Sequence, residues 1–194
     1  MKKIAFLAAA AVALMAFKSV ESTTWSVDKG HSRFGFVITH LGVNDVEGDF
    51  KEYDCTITGA KDDFSDATFE VSAEINSINT ESEKRDGHLK GADFFDAAQF
   101  AKLTFKSKSV KADGANKLII NGDLTLHGVT NPVELHAMIR KGTNPMSKKE
   151  VLGFKITGTI KRSEFKIGEK FPAPMLSDEV QLNANGEFGK KEAK

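Results

Sequence analysis

Apolar residues recur at every second position along most of this chain, a period that suits strands and leaves little room for helices. From His31 to His40 the even positions are Ser32, Phe34, Phe36, Ile38 and His40, while the odd ones are mostly polar or small. Further stripes follow: Phe69, Val71, Ala73 and Ile75; Leu118, Ile120, Gly122, Leu124 and Leu126; Val133, Leu135, Ala137 and Ile139. Leu152, Phe154, Ile156, Gly158 and Ile160 supply another, and Val180, Leu182, Ala184, Gly186 and Phe188 the last. Each strand thus keeps one apolar and one wet face, the mark of antiparallel sheet.

Short turns join most of these segments, His127-Gly128-Val129-Thr130-Asn131-Pro132 among them. The expectation is an all-β fold of about eight long antiparallel strands. Closure into a barrel removes the exposed edges, and a two-sheet sandwich is its competitor. A strand of about ten residues is roughly 33 Å long and, tilted, gives a wall near 25 Å high. Eight such strands enclose either packed side chains or one slender ligand. The small inward residues Gly122, Ala137, Gly158, Ala184 and Gly186 fit both outcomes, making room for a ligand or matching the taper of the wall.

The alternation stops between Ser77 and Phe105. Thr80 and Glu83 have capping-box spacing, Ser82 to Lys90 suits a short helix, and Gly91 can end it. Asp93 can cap a second helical turn bearing Phe94 and Phe95. This helical insert, near residues 81–98, places Arg85, His88 and Leu89 on one face. A titratable cluster beside paired aromatics reads as a lid. Two accounts of the cluster compete: local pairs Glu81–Arg85 and Asp86–Lys90 on an exposed helix, or Arg85 and His88 reaching a polar or anionic ligand head, which guanidinium geometry suits. His40 closes an inward stripe and could join them or simply bond within the rim. Phe94 and Phe95 are equally core plugs or ligand contacts.

Met1-Lys2-Lys3 and the apolar run Ile4 to Phe17 form a basic and a hydrophobic region of signal-peptide length, short for a membrane span. Residues 1–22 are therefore expected to be removed, 23–189 to form one domain and 190–194 a polar tail. The chain is then expected to be exported to an oxidising compartment. Of 27 basic and 27 acidic residues, the leader holds three basic and one acidic, so the remainder is slightly acidic. Binding of nucleic acid, which needs a basic face, is not expected. Cys55 is the sole cysteine. No intramolecular disulfide can form, and sharing the parity of Ile57 makes Cys55 a buried small hydrophobe.

Catalytic signatures are missing. The five histidines show no His-x-His or Glu-x-x-His pairing; His31 and His40 face opposite ways, and His127 with His136 flank a hairpin without a third ligand. No G-x-S-x-G elbow or glycine-rich phosphate loop occurs. Neither a metal nor a cofactor is expected and no catalytic residue is named; an enzyme stays possible, though no motif supports it.

Several short motifs together resemble the YceI-like family of periplasmic lipid or polyisoprenoid binders. They are Trp25-Ser-Val-Asp28, His31-Ser32-x-Phe34-x-Phe36 with His40, Gly48-Asp49-Phe50, Ile78-x-Thr80, Arg85-Asp86-x-His88-Leu89 and Asp93-Phe94-Phe95. Gly122-Asp-Leu-Thr-Leu-His-Gly-Val-Thr130 with Pro132-Val133, then Arg162-Ser-Glu-Phe165 and Leu176-Ser-Asp-Glu-Val180, complete the series. Ala101 departs from the proline usual there. The resemblance implies a lipocalin-like barrel holding an isoprenoid chain, such as an isoprenoid quinone or polyprenyl phosphate, in an interior tunnel. On that view Phe34, Phe36, Ile38, Phe105, Leu124, Leu126, Leu135, Phe154, Ile156 and Leu182 line the tunnel. His40, Arg85 and His88 meet the head group, and Leu89, Phe94 and Phe95 form the lid. At about 0.3 kcal/mol per heavy atom, a forty-carbon chain would contribute on the order of 12 kcal/mol. The expected partner is a long-chain isoprenoid or other lipid, with transient membrane contact and a homodimer left open. Two rivals stand beside the carrier: a packed barrel serving as a stress-related protein-interaction module, and an enzyme on a lipid or quinone.

Overall fold

In the computed structural model, which describes residues 21–191, the alternating stripes become ten strands. They are β1 (Thr23–His40), β2 (Asn44–Phe50), β3 (Tyr53–Gly59), β4 (Thr68–Glu74), β5 (Ile78–Asn79), β6 (Lys102–Ala112), β7 (Lys117–Leu126), β8 (Val129–Thr143), β9 (Glu150–Lys161) and β10 (Leu176–Lys190), with one α-helix, α1 (Glu83–Leu89). The expected leader, apart from Glu21 and Ser22, lies outside the described residues. Lys190, expected to open the tail, still pairs with Trp25 and ends β10.

Eight strands close a ring in the order β1, β10, β9, β8, β7, β6, β4, β3 and back to β1, every neighbour antiparallel. The barrel, not the sandwich, is the solution. β1 is long enough to serve two partners on one side. Its first residues, Thr23–Ser26, pair with β3, and Phe34 to His40 pair with β2. Between them the register with β10 shifts after Asp28, where the Asp28 carboxylate accepts from Gly30 N (2.9 Å) and meets His31 Nδ1 (2.9 Å).

At one end the wall is incomplete. β5 pairs with β2 through two residues, Ile78 and Asn79, whereas β4 pairs with β6. The segment 80–101 spans that gap, tied back where Ile75 N donates to the carbonyl of Ala101 (2.8 Å). Only Glu83–Leu89 of the expected insert is helical; residues 92–99 are turns. The hairpin between β7 and β8 is also tighter than its sequence suggests. His127 (φ 51°) and Gly128 (φ 73°) make the whole turn, the paired positive φ values of a two-residue hairpin; Thr130 to Pro132 already belong to β8.

The opposite end is floored. Phe64, on the loop between β3 and β4, packs edge-on against Phe154 (centroids 5.6 Å), which takes Phe69 (5.6 Å) and Phe188 (5.5 Å) in the same way. Phe154 is 1% exposed. Two of the small inward residues, Gly122 and Gly158, make room for neighbouring side chains. A Cβ on Gly122 would sit 2.6 Å from the Phe105 ring, and one on Gly158 2.5 Å from Leu135 Cδ2. These glycines let neighbouring side chains lie against the wall, so they fit the barrel rather than the ligand.

Candidate functional site

Above the floor the barrel is hollow. A cavity of about 450 Å³ opens at the incomplete end, and a smaller one of about 70 Å³ lies beneath it. Phe34, Phe36 and Ile38 of β1, with Val180 and Leu182 of β10, face inward yet stay only half-buried, because the space in front of them is empty. Leu124 and Leu126 close the far wall. Phe105, Leu135, Phe154 and Ile156 line the lower cavity, so the ten residues read as a tunnel are divided between two chambers. Phe34, Leu124 and Leu182 border both.

The lower chamber also takes in Tyr53 and Cys55. Burial raises the Tyr53 phenol and pushes the Cys55 thiol up to about 12. Cys55 is therefore the buried small hydrophobe its parity indicates, held as the inert thiol.

His40, Arg85 and His88 meet around the upper chamber, together with Leu89, Phe94 and Phe95. The helix places them, though not by the caps expected. Ser82, not Thr80, is the N-cap, its Oγ accepting from Arg85 N (3.5 Å). Glu81, at φ 61°, turns the chain between the two and swings Thr80 inward. Thr80 is 4% exposed, and its N and Oγ1 donate to Asp86 Oδ1 (2.9 and 2.6 Å). Arg85 Nε donates to Thr80 Oγ1 (2.7 Å) and Nη2 to the Thr80 carbonyl (2.6 Å). Neither expected local ion pair forms: Asp86 is buried against Thr80, and Glu81 accepts from Asn79. Arg85 is thus fixed at two donors, with Nη1 left without a protein acceptor among the described residues.

The lid is aromatic. Phe94 stacks on Phe171 (centroids 5.0 Å, planes 16° apart), and His88 stands edge-on to both. Phe95 meets Phe50 edge-on. Asp93 caps no helical turn; its carboxylate accepts from Lys170 Nζ (2.6 Å), and its carbonyl from Gly168 N (3.0 Å). The bond from Lys170 holds the Asp93 carboxyl below its ordinary value. Asp93 and Lys170 thereby latch the two halves of the lid, residues 91–100 and 166–175.

Arg162 was not foreseen as part of the site. It is 5% exposed, lines the upper chamber and donates to the main-chain carbonyls of Ile167, Gly168, Phe171, Leu176 and Ser177. One guanidinium therefore shapes the whole 167–177 loop. Its sequence signal was parity: Ile156, Gly158 and Ile160 face inward, and Arg162 is the next member of that stripe. Asp178 secures the same corner. Burial opposes its charge, but the bonds it accepts from Ser163 N (2.9 Å) and Oγ (2.8 Å) prevail and keep its carboxyl low. Arg85 and Arg162 both border the chamber, and among the described residues no carboxylate does. The remaining histidines lie elsewhere: His31 beside Asp28, His127 against Phe100 and the Phe165 carbonyl, His136 outward beside Glu134.

The sequence and the fold have counterparts in known proteins. A UPF0312 protein of Staphylococcus aureus is 39% identical over 176 residues, covering 86% of this chain and 97% of that one. The crystal structure of a Campylobacter jejuni YceI protein superimposes with a TM-score of 0.71 at 34% identity, over 80% of this chain and 90% of that one. BcnA of Burkholderia cenocepacia (TM-score 0.76, 23% identity, 83% and 98% covered) shares the fold. So does a polyisoprenoid binding domain from Saccharophagus degradans (TM-score 0.64, 15% identity, 86% and 98% covered). With the YceI-like domain matched from residue 25 to residue 188, essentially the whole ring of strands, the chain belongs to the YceI-like family.

Proposed function

We propose that this protein binds a polyisoprenoid or similar lipid, tail inward, and shields it from water as a carrier. The observation that carries this reading is the upper chamber: about 450 Å³, apolar along its depth, with its polar side chains gathered near the opening. Apolar cavities with a few convergent polar groups at one end are how proteins hold and orient such ligands. Arg85, with an unengaged Nη1, and His40 and His88 meet the head group. The bordering cations without a carboxylate favour an anionic or strongly polar head. The S. degradans neighbour, named for polyisoprenoid binding, supports the same ligand class through its fold.

The reading is one of binding rather than catalysis. The mainly apolar lining of the chamber, with His40 and His88 among its few polar members, supports that reading. The basic and apolar start of the sequence supports export to the periplasm, where a lipid in transit needs cover. Loading from a bilayer fits the rim, where Leu41, Val43 and Met175 stand exposed beside the opening.

Mass spectrometry of organic extracts from freshly purified protein tests the proposal. A co-purifying isoprenoid lipid near one per chain is the expected result. An empty protein that also fails to take up added prenyl lipids would overturn it.

A further inference from the structure

Resting on that lipid-binding reading, we infer that Tyr53 and Ser32 form a polar subsite deep in the barrel. The protein then favours lipids whose tail carries an oxygen at that depth, as a hydroxyl, ketone or epoxide. Tyr53 is the one tyrosine in a chain with fifteen phenylalanines. It opens β3 and borders the lower chamber, where the other aromatic members of the lining, Phe34, Phe69, Phe105, Phe154 and Phe188, carry no hydroxyl. Tyr53 is 8% exposed, and its hydroxyl has no hydrogen-bond partner among the described residues. A buried hydroxyl left unpaired is destabilising, and a phenylalanine at this position would pack the same ring without one. The hydroxyl is accounted for when a bound molecule supplies its partner.

The surroundings supply a second polar group. Ser32 stands where the register of β1 with β10 shifts, between Asp28 and Arg33, and such irregularities re-aim a side chain. Its hydroxyl accepts from Glu187 N (3.1 Å) and lies at the limit of a bond to the Glu187 carbonyl (3.5 Å), so one lone pair is unused and its proton is loosely held. Gly186 makes room for it, since a Cβ there would lie 2.8 Å from Ser32 Oγ. Burial raises the Tyr53 phenol and Ser32 partly offsets that, yet the Tyr53 hydroxyl remains unbonded. Arg33 and Asn185 also border the chamber, but both are exposed, and Arg33 is engaged by Glu47 and Asp49. The lower chamber, about 70 Å³, exceeds the roughly 10–15 Å³ that one water-sized group needs. Phe34, Leu124 and Leu182 border both chambers and so join this subsite to the space beneath Arg85. A tail descending from the head group therefore crosses apolar wall before it meets Tyr53 and Ser32. An oxygen at their level gains a donor, whereas one higher in the tail meets carbon. A plain polyisoprenoid still binds through its head and the wall, leaving Tyr53 as it is.

Displacement of the fluorophore ANS from the intact protein tests the inference. The competitors are sixteen-carbon fatty acids bearing one hydroxyl at successive positions toward the tail end, beside the unmodified acid. Farnesyl and geranylgeranyl monophosphates, each with and without a hydroxyl on a terminal methyl, cover the prenyl source of such tails, and the series with the stronger preference identifies the source. Most positions should weaken binding about tenfold, the scale of an unpaired buried hydroxyl. The position that reaches Tyr53 should bind at least as tightly as the unmodified chain. Tyr53→Phe should abolish that exception, weakening the matched ligand tenfold or more while leaving the unmodified chain unchanged, and should not lower the urea midpoint. A hydroxyl disfavoured at every position of both series in the native protein overturns the subsite. So does an exception that survives Tyr53→Phe, or a urea midpoint that falls in that variant, which would mean the hydroxyl is already paired. Lipid binding itself stands in each of these cases. Failure of every chain to displace ANS removes the lipid reading, and this inference with it.

Discussion

Arg162 carries more of this site than any other single side chain, through main-chain partners alone. Five carbonyls converge on one planar cation. A lysine offers three donors from a single point and cannot reproduce that fork. Arg162→Lys is therefore expected to leave at least two buried carbonyls unpaired. The cost is at least about 2 kcal/mol of stability, read as a lowered urea midpoint, and the 167–177 loop should lose hydrogen-exchange protection. Arg85 has the complementary role. Its Nη1 meets no protein acceptor among the described residues while its other donors serve Thr80, so Arg85→Ala should weaken binding of a prenyl phosphate roughly tenfold or more, the scale of one charge-assisted bond. Binding of the matching neutral alcohol should barely change. Equal losses for both would deny Arg85 its contact with the head. At this scale the sequence was half legible. Parity alone places Phe34, Phe36 and Ile38 on the interior. It could not show that a left-handed Glu81 takes Thr80 out of its capping position. Nor could it reveal partners of Arg162 that are backbone atoms and carry no residue code.

Among the elements, the lid depends on contacts between distant parts of the chain. Asp93 lies just beyond α1 and Lys170 on the loop before β10, yet they meet at 2.6 Å. A carboxyl held below its ordinary value contributes stabilisation that is complete above the unfolded pKa, near 4, and lost as the pH falls through the folded value. Both partners are substantially exposed, so the effect is local rather than global. NMR titration should find the Asp93 carboxyl below 3.8, returning toward that value in Lys170→Met, and the lid should exchange faster only under acid. An unchanged Asp93 titration in Lys170→Met would refute the latch. Local periodicity found α1 and the strands because those are set by neighbours in sequence. It gave Asp93 a capping role because Asp followed by aromatics suits a cap, and nothing nearby announces Lys170.

For the molecule as a whole, the ring of strands was readable and its filling was not. Alternation specifies which side chains point inward, but whether they meet is decided by the summed volumes of eight strands. Here Phe64, an isolated aromatic in the polar run Lys61-Asp-Asp-Phe-Ser-Asp, decides it at one end. Cys55 reports on that packing. Held near 12 by burial, it should resist thiol reagents at pH 8 in the native protein and react fully in denaturant. Rapid native labelling would mean that the lower wall opens. The rim reports on the other end. Val43 is 83% exposed and Leu41 53%, so Val43→Asp should reduce flotation with phospholipid vesicles several-fold while leaving ligand binding in detergent unchanged. The aromatic floor has a further consequence. On the proposed carrier reading, a cup with one lip, unlike a pipe, takes its cargo in tail first and gives it up head first by the way it came. Delivery then requires the recipient to come to that same lip, and no molecule can be threaded through from donor to acceptor on opposite sides.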